Sequence, residues 1–180
     1  MRKIMRTGVV LFLMIPSLVI LAACAKKATV VKNESTIKTE TADAERQKAI
    51  EAERQKKEAE ERQFQADKFQ FEHEDIYFQK GSYQLQPEAI TILYRKAEFL
   101  KKYPGVSVII EGHTDERGSR ETNMAFGERR AGAVKSFLIK EGIDPSRLIA
   151  VSFGKERPID TGRTEKARAK NRRVHFVVKD

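Results

Sequence analysis

A single cysteine, Cys24, excludes any disulfide within the chain. Histidine is scarce as well: besides His113 there are only His73 and His175, and neither lies in a recognisable ligand motif. A metal centre built on imidazoles therefore has little to draw on. No uninterrupted apolar run reaches the roughly 20 residues that a membrane-spanning helix needs. The longest, from Gly8 to Ala23, is broken by Pro16. Glycine and proline are absent from ADAERQKAIEAERQKKEAEERQFQADKF, residues 42–69, so nothing there interrupts a helix. Acidic residues are outnumbered 26 to 35 by Lys and Arg, a net charge of +9. Such a surface favours an anionic partner: nucleic acid, lipid headgroups or an acidic polymer.

The first residues narrow that choice. MRKIMRTGVVLFLMIPSLVILAAC has a basic start, an apolar stretch and small residues before the cysteine, the layout of a secretory signal over residues 1–23. Leu21-Ala22-Ala23-Cys24 resembles the lipobox of bacterial lipoproteins, which implies cleavage before Cys24 and lipidation of that residue. Several acyl chains at about 0.8 kcal/mol per buried CH₂ would anchor the chain firmly. Ala25 and Lys26 follow, with no aspartate that would resemble an inner-membrane retention signal. The expected location is the outer membrane, lipid-anchored and facing the periplasm, where nucleic acid is not a partner.

Residues 24–43 lack helical apolar periodicity and read as a flexible leash. Residues 44–71 read as a charged, solvated helical linker, with Glu53–Lys57 and Glu58–Arg62 at i,i+4 in the favourable order and no sustained coiled-coil seam. From residue 72 to 180, strand and helix patterns alternate. Asp75–Phe78 is a strand. Pro87 opens a helix whose Ile90, Leu93, Ala97 and Leu100 form one stripe. Val106–Ile110 is a β-branched strand, and Glu121–Lys140 a helix stopped by Gly142. Leu148–Phe153, a short helix from Thr164 to Lys170, and strand Val174–Val178 complete the pattern. The fold class expected is an α/β (α+β) sandwich, helices packed on a mixed sheet.

Chemistry concentrates in EGHTDERGSRETNMAFGERRA, residues 111–131. Glu111, His113 and Asp115 alternate, so a continuing strand would point all three to one face. That pattern admits a metal site, or a serine relay through Ser119, although no nucleophile-elbow motif surrounds Ser119. It also admits plain capping of the next helix by Asp115 or Ser119. A fourth possibility is a zwitterion socket. A carboxylate at the strand end accepts from an ammonium group, and a guanidinium on the following helix grips a carboxylate. Asp115 and Arg130 are spaced for that, with backbone N–H groups near Gly118 adding anion affinity.

GHTDERGS, NMAFGERRAGAV, SFGKERP and NRRV, in that order, resemble the OmpA-like peptidoglycan-binding domain, nearest its lipoprotein members, over about Asp75 to Val178. The resemblance implies a β-α-β-α-β-α-β fold and non-covalent binding of the peptidoglycan stem peptide at meso-diaminopimelate, with no enzymatic activity and no cofactor. By position, Asp115 matches the aspartate that contacts the diaminopimelate ammonium group, and Arg130 the arginine that holds a ligand carboxylate. Thr114, Asn123, Phe126 and Gly127 match pocket-forming positions. His113 joins the ligand-binding candidates as Asp115's neighbour at the strand end. Gly118, Arg172 and Arg173 are assigned structural or pocket-supporting roles. TolB and other Tol proteins are the protein partners implied. The sequence departs from the family at Tyr77-Phe78-Gln79-Lys80-Gly81-Ser82, where F-D-F-D-K-S is common, and at Thr122 and Phe126.

Overall fold

The computed structural model describes residues 34–179, with side chains from residue 42 onward; Cys24 and the expected leader lie outside them. The chain divides into two compact units, residues 1–47 and 48–180. Of the first, the described part is helical: α1 runs Glu34–His73 and crosses the unit boundary. The helix thus begins ten residues ahead of the expected linker and takes in part of the expected leash. Neither glycine nor proline occurs between Glu34 and His73, and a helix once nucleated propagates through such residues at little cost. The anticipated pairs Glu53–Lys57 (2.8 Å) and Glu58–Arg62 (3.9 Å) are present.

The second unit follows the expected alternation. After α1 come β1 (Ile76–Tyr77), α2 (Pro87–Lys102), β2 (Ser107–His113), α3 (Arg120–Lys140), a 3₁₀ turn (Pro145–Arg147), β3 (Leu148–Gly154), α4 (Glu165–Asn171) and β4 (Arg173–Lys179). The sheet order is β1-β4-β2-β3, with β2 and β3 parallel and β4 antiparallel to both β2 and β1. It is therefore a mixed sheet. Leu93, Ala97 and Leu100 of α2 and Ala131, Val134 and Leu138 of α3 are buried, so the apolar stripes do face the core. They pack with Val108, Ile110 and Phe176 of the central strands.

Core packing extends ahead of residue 72, the expected start of the domain. Phe71 is buried, its ring 4.5 Å from that of Phe99 and 5.3 Å from that of Phe176, and Phe64 packs edge-on against Tyr103 at 5.0 Å. The last turns of α1 are thus part of the core, and two phenylalanines seven residues apart were the signal. Lys96, also buried, sits over the Phe71 and Phe176 rings at 4.5 and 4.2 Å and donates to the Phe71 carbonyl. That carbonyl lies in the last turn of α1, where no helical N–H remains to reach it. Burial pushes the Lys96 ammonium down to about 7.

Two glycines set how closely α3 approaches the sheet. A Cβ at Gly112 would lie 1.9 Å from the Gly127 carbonyl oxygen, and one at Gly127 would lie 2.2 Å from Ser152 Oγ. Only hydrogen fits at either position. Gly127, expected among the ligand-binding residues, accordingly faces β2 and β3. His113 is expected among them as well. β2 ends at His113, so Asp115 does not continue the strand alternation. The His113 ring lies by Glu111 (Nε2 to Oε2, 3.5 Å) and stacks on Phe153 at 5.8 Å, while Asp115 turns into a different environment.

Gly112→Ala should destabilise the domain by about 3 kcal/mol or more, since backbone atoms must move to admit the methyl; urea unfolding would read this, and a loss below 1 kcal/mol would refute the close approach. Burial, with the Arg173 charge nearby, pushes His113 down to about 4. An unfolded histidine binds a proton near its ordinary 6.5. Stability should therefore fall as pH drops from 6.5 to 4, by at most about 3 kcal/mol, with the Asp75 carboxylate partly favouring the cation. His113→Phe should flatten that slope in pH-dependent unfolding.

Candidate functional site

The loop from Thr114 to Ser119 joins β2 to α3 and turns at Gly118, whose φ of 91° suits glycine. Ser119 caps α3, its hydroxyl accepting from the Thr122 N–H at 3.2 Å and donating to Thr122 Oγ1 at 3.1 Å. Asn123 on the first turn of α3 donates back to the carbonyls of Arg117 (2.8 Å) and Ser119 (2.9 Å), and Thr114 N–H donates to the Gly154 carbonyl at 2.8 Å. The loop is thus held at both ends by local hydrogen bonds. The Ser119 hydroxyl is engaged in capping, and both nitrogens of His113 are buried without a hydrogen-bond partner. The geometry of a Ser–His relay is absent from these residues. Among the described residues no group of three or more His, Cys, Asp or Glu is placed to hold a metal ion.

Asp115 and Arg130 do meet at one cleft of about 240 Å³, whose lining includes Thr114, Asn123, Phe126 and Arg172. Size does not single it out, since a groove beside Tyr77, Ile92 and Lys170 has about 480 Å³. Charge does. Arg130 is 2% exposed, and its guanidinium donates to three backbone carbonyls: Nε to Ser82 (3.0 Å), Nη1 to His113 (2.8 Å) and Nη2 to Gln79 (3.4 Å). Two of its five N–H groups are left over. Among the described residues no carboxylate forms an ion pair with it. Burial, with Arg172 close by, pushes it down to about 10, so it remains a cation at neutral pH.

Asp115 is 7% exposed. Burial works to raise its pKa, but hydrogen bonds from Arg117 and Arg172 outweigh that and hold it down to about 2. Phe126, half-buried, supplies an apolar wall, and the Thr114 hydroxyl is buried at the cleft without a partner. The cleft thus holds a fixed anion, a fixed cation with unfilled donors and a hydroxyl without a partner, the chemistry that a ligand bearing both charges could use.

Of the expected site residues, Asp115, Arg130, Thr114, Asn123, Phe126 and Arg172 gather at the cleft, and Gly118 shapes its loop. His113 and Gly127 do not line it. Arg172 donates Nε to the Phe78 carbonyl at 3.3 Å and Nη1 to Asp115 at 3.2 Å, while Arg173 pairs with Asp75 at 3.2 Å. Lys80, Gly81, Arg117 and Thr122 also line the cleft and were not among the expected site residues. Arg117, two residues after Asp115, was the one with a local signal, because a long cation at that spacing can fold back on the carboxylate.

Residues 77–172 match the OmpA family model. The peptidoglycan-associated lipoprotein of Pseudomonas aeruginosa is 53% identical over 101 residues, covering 56% of this chain and 60% of that protein. That of Legionella pneumophila is 44% identical over 106 residues, covering 58% and 60%. The chain thus spans about 60% of the length of these curated relatives. Among solved structures, the peptidoglycan-associated lipoprotein of Burkholderia pseudomallei is similar with a TM-score of 0.57 at 39% identity, over 58% of this chain and 89% of that one. The C-terminal domain of Helicobacter pylori MotB has a TM-score of 0.56 at 25% identity, over 59% and 84%. With the family match spanning more than half of its residues and the same α/β fold in these neighbours, the chain belongs to the OmpA family.

Proposed function

We propose that this chain is an outer-membrane lipoprotein that binds peptidoglycan non-covalently at the diaminopimelate of the stem peptide, tethering the outer membrane to the cell wall. The observation that carries the proposal is Arg130: a buried guanidinium without a carboxylate partner, opening on the same cleft as a buried aspartate. A buried charge of this kind is costly unless something compensates it, and a ligand carboxylate would do so. The Asp115 carboxylate takes the ammonium of the same ligand. The relatives' names, which speak of association with peptidoglycan, support a binding protein rather than an enzyme. Residues 1–23 are removed as a signal, Cys24 carries the lipid, and the charged linker spans toward the wall. Two modest attachments joined by a tether act together as avidity. Within this frame the chain serves as the Tol-partnering component of the envelope. The departures at Tyr77–Ser82 favour, as a second reading, anchoring of another envelope machine to the wall.

Sedimentation with purified diaminopimelate-type sacculi tests the site. Asp115→Asn, which preserves shape, should reduce co-sedimentation at least about tenfold, and Arg130→Lys should do likewise if the domain stays folded. Unchanged sedimentation of a folded Asp115→Asn protein would sink the socket. With Asp115 ionised above about 2 and Arg130 cationic below about 10, the protein side of binding should be flat between pH 4 and 9. A steep change near pH 6 would point to another group.

A further inference from the structure

Every acceptor position of the Asp115 carboxylate is occupied by the protein itself. Oδ1 accepts from the Arg117 backbone N–H and from Arg117 Nε, both at 3.2 Å. Oδ2 accepts from Arg117 Nη2 at 2.7 Å and from Arg172 Nη1 at 3.2 Å. A carboxylate offers about four lone-pair sites, so an incoming ammonium finds none until a donor leaves. The two side-chain donors are unequal. The Arg172 side chain is 7% exposed and is tied to Phe78 and Glu165. The Arg117 side chain is 34% exposed, and among the described residues its only ion-pair contact beyond Asp115 is Glu165, 3.9 Å from Nη2.

We propose that Arg117 is a displaceable internal cation, a clasp that holds the ammonium half of the cleft until a ligand bearing both an ammonium and a carboxylate replaces it. The proposal rests on the cleft's being a zwitterion receptor. Exchange conserves charge at Asp115, since one cation leaves as another arrives, and Glu165 is placed to receive the released guanidinium. The loop backbone need not move. Glu116 pairs with Arg168 of α4 at 2.9 Å, and Asn123 holds the Arg117 and Ser119 carbonyls. The clasp lowers the apparent affinity of every ligand that needs Asp115 by the same factor. A simple amine must compete with a bidentate guanidinium. A ligand already held by its carboxylate on Arg130 competes at high effective concentration.

The test is calorimetric titration of the detergent-solubilised full-length protein with two probes: the stem tripeptide ending in meso-diaminopimelate, and the same tripeptide ending in lysine, which lacks the side-chain carboxylate. Arg117→Gln should bind the diaminopimelate probe roughly three- to tenfold tighter than wild type. It should gain by the same factor for the lysine probe, leaving the ratio between them unchanged. Arg117→Lys, which keeps the charge but loses the fork, should fall between. Equal or weaker binding of the diaminopimelate probe by folded Arg117→Gln or Arg117→Lys would overturn the clasp and make Arg117 part of the receptor. Wild-type affinity in Asp115→Asn would instead overturn the zwitterion site itself, so the two failures are read from different variants.

Discussion

The Arg130 guanidinium is the point on which the site depends. It reaches from α3 to the carbonyls of Gln79 and Ser82 in the segment before α2 and to that of His113 at the end of β2. Each lies where regular structure stops, and the Gln79 carbonyl also accepts from the Ser82 N–H at 3.1 Å. One side chain thereby joins three chain segments and defines one wall of the cleft. The Phe78 ring, 5.2 Å from the guanidinium carbon, lies close enough for a cation–π contact. Backbone dipoles and a ring stabilise the cation without cancelling its charge, and that residual charge is what an anionic ligand group can use.

Arg130 can sit there because α3 lies unusually close to the sheet. The glycine pair Gly112 and Gly127 lets backbone meet backbone, and the Ser152 hydroxyl donates to the Met124 carbonyl at 2.8 Å across the same junction. A wider separation would withdraw the guanidinium from His113. Packing density and the position of the Arg130 charge are coupled through these small residues. On the other side of the cleft, control is electrostatic. Asp115, Arg117, Glu165 and Arg172 alternate in sign around a closed circuit, so each of these charges has a partner within the protein. One half of the cleft thus begins neutralised and the other does not.

The end of α1 shows a similar economy of means. A helix that is polar over most of its described length enters the core through Phe64 and Phe71. Lys96, its ammonium over the Phe71 and Phe176 rings, then donates to the Phe71 carbonyl in the last turn. The linker and the domain are therefore one continuous element at their junction, with no hinge of glycine or proline between them.

Periodicity and turn chemistry made the strands and helices of the second unit legible, because apolar stripes on α2 and α3 and β-branched runs in β2 and β4 have few competing interpretations. Motif order carried the family, and with it Asp115 and Arg130 as a pair. What pattern could not convey was which way individual polar groups turn. Strand alternation grouped His113 with Asp115, yet β2 ends between them and sends them to different neighbours. Gly127 matches a pocket-forming position of the family, but here its missing side chain serves the contact with Gly112. Arg117 was in view and unassigned, since only the folded loop brings its guanidinium onto both oxygens of Asp115. The sequence by itself determined the elements, the family and the two opposed charges; tertiary structure decided which charge stands unpartnered and which is already clasped, because burial and hydrogen-bond saturation are properties of neighbours in space.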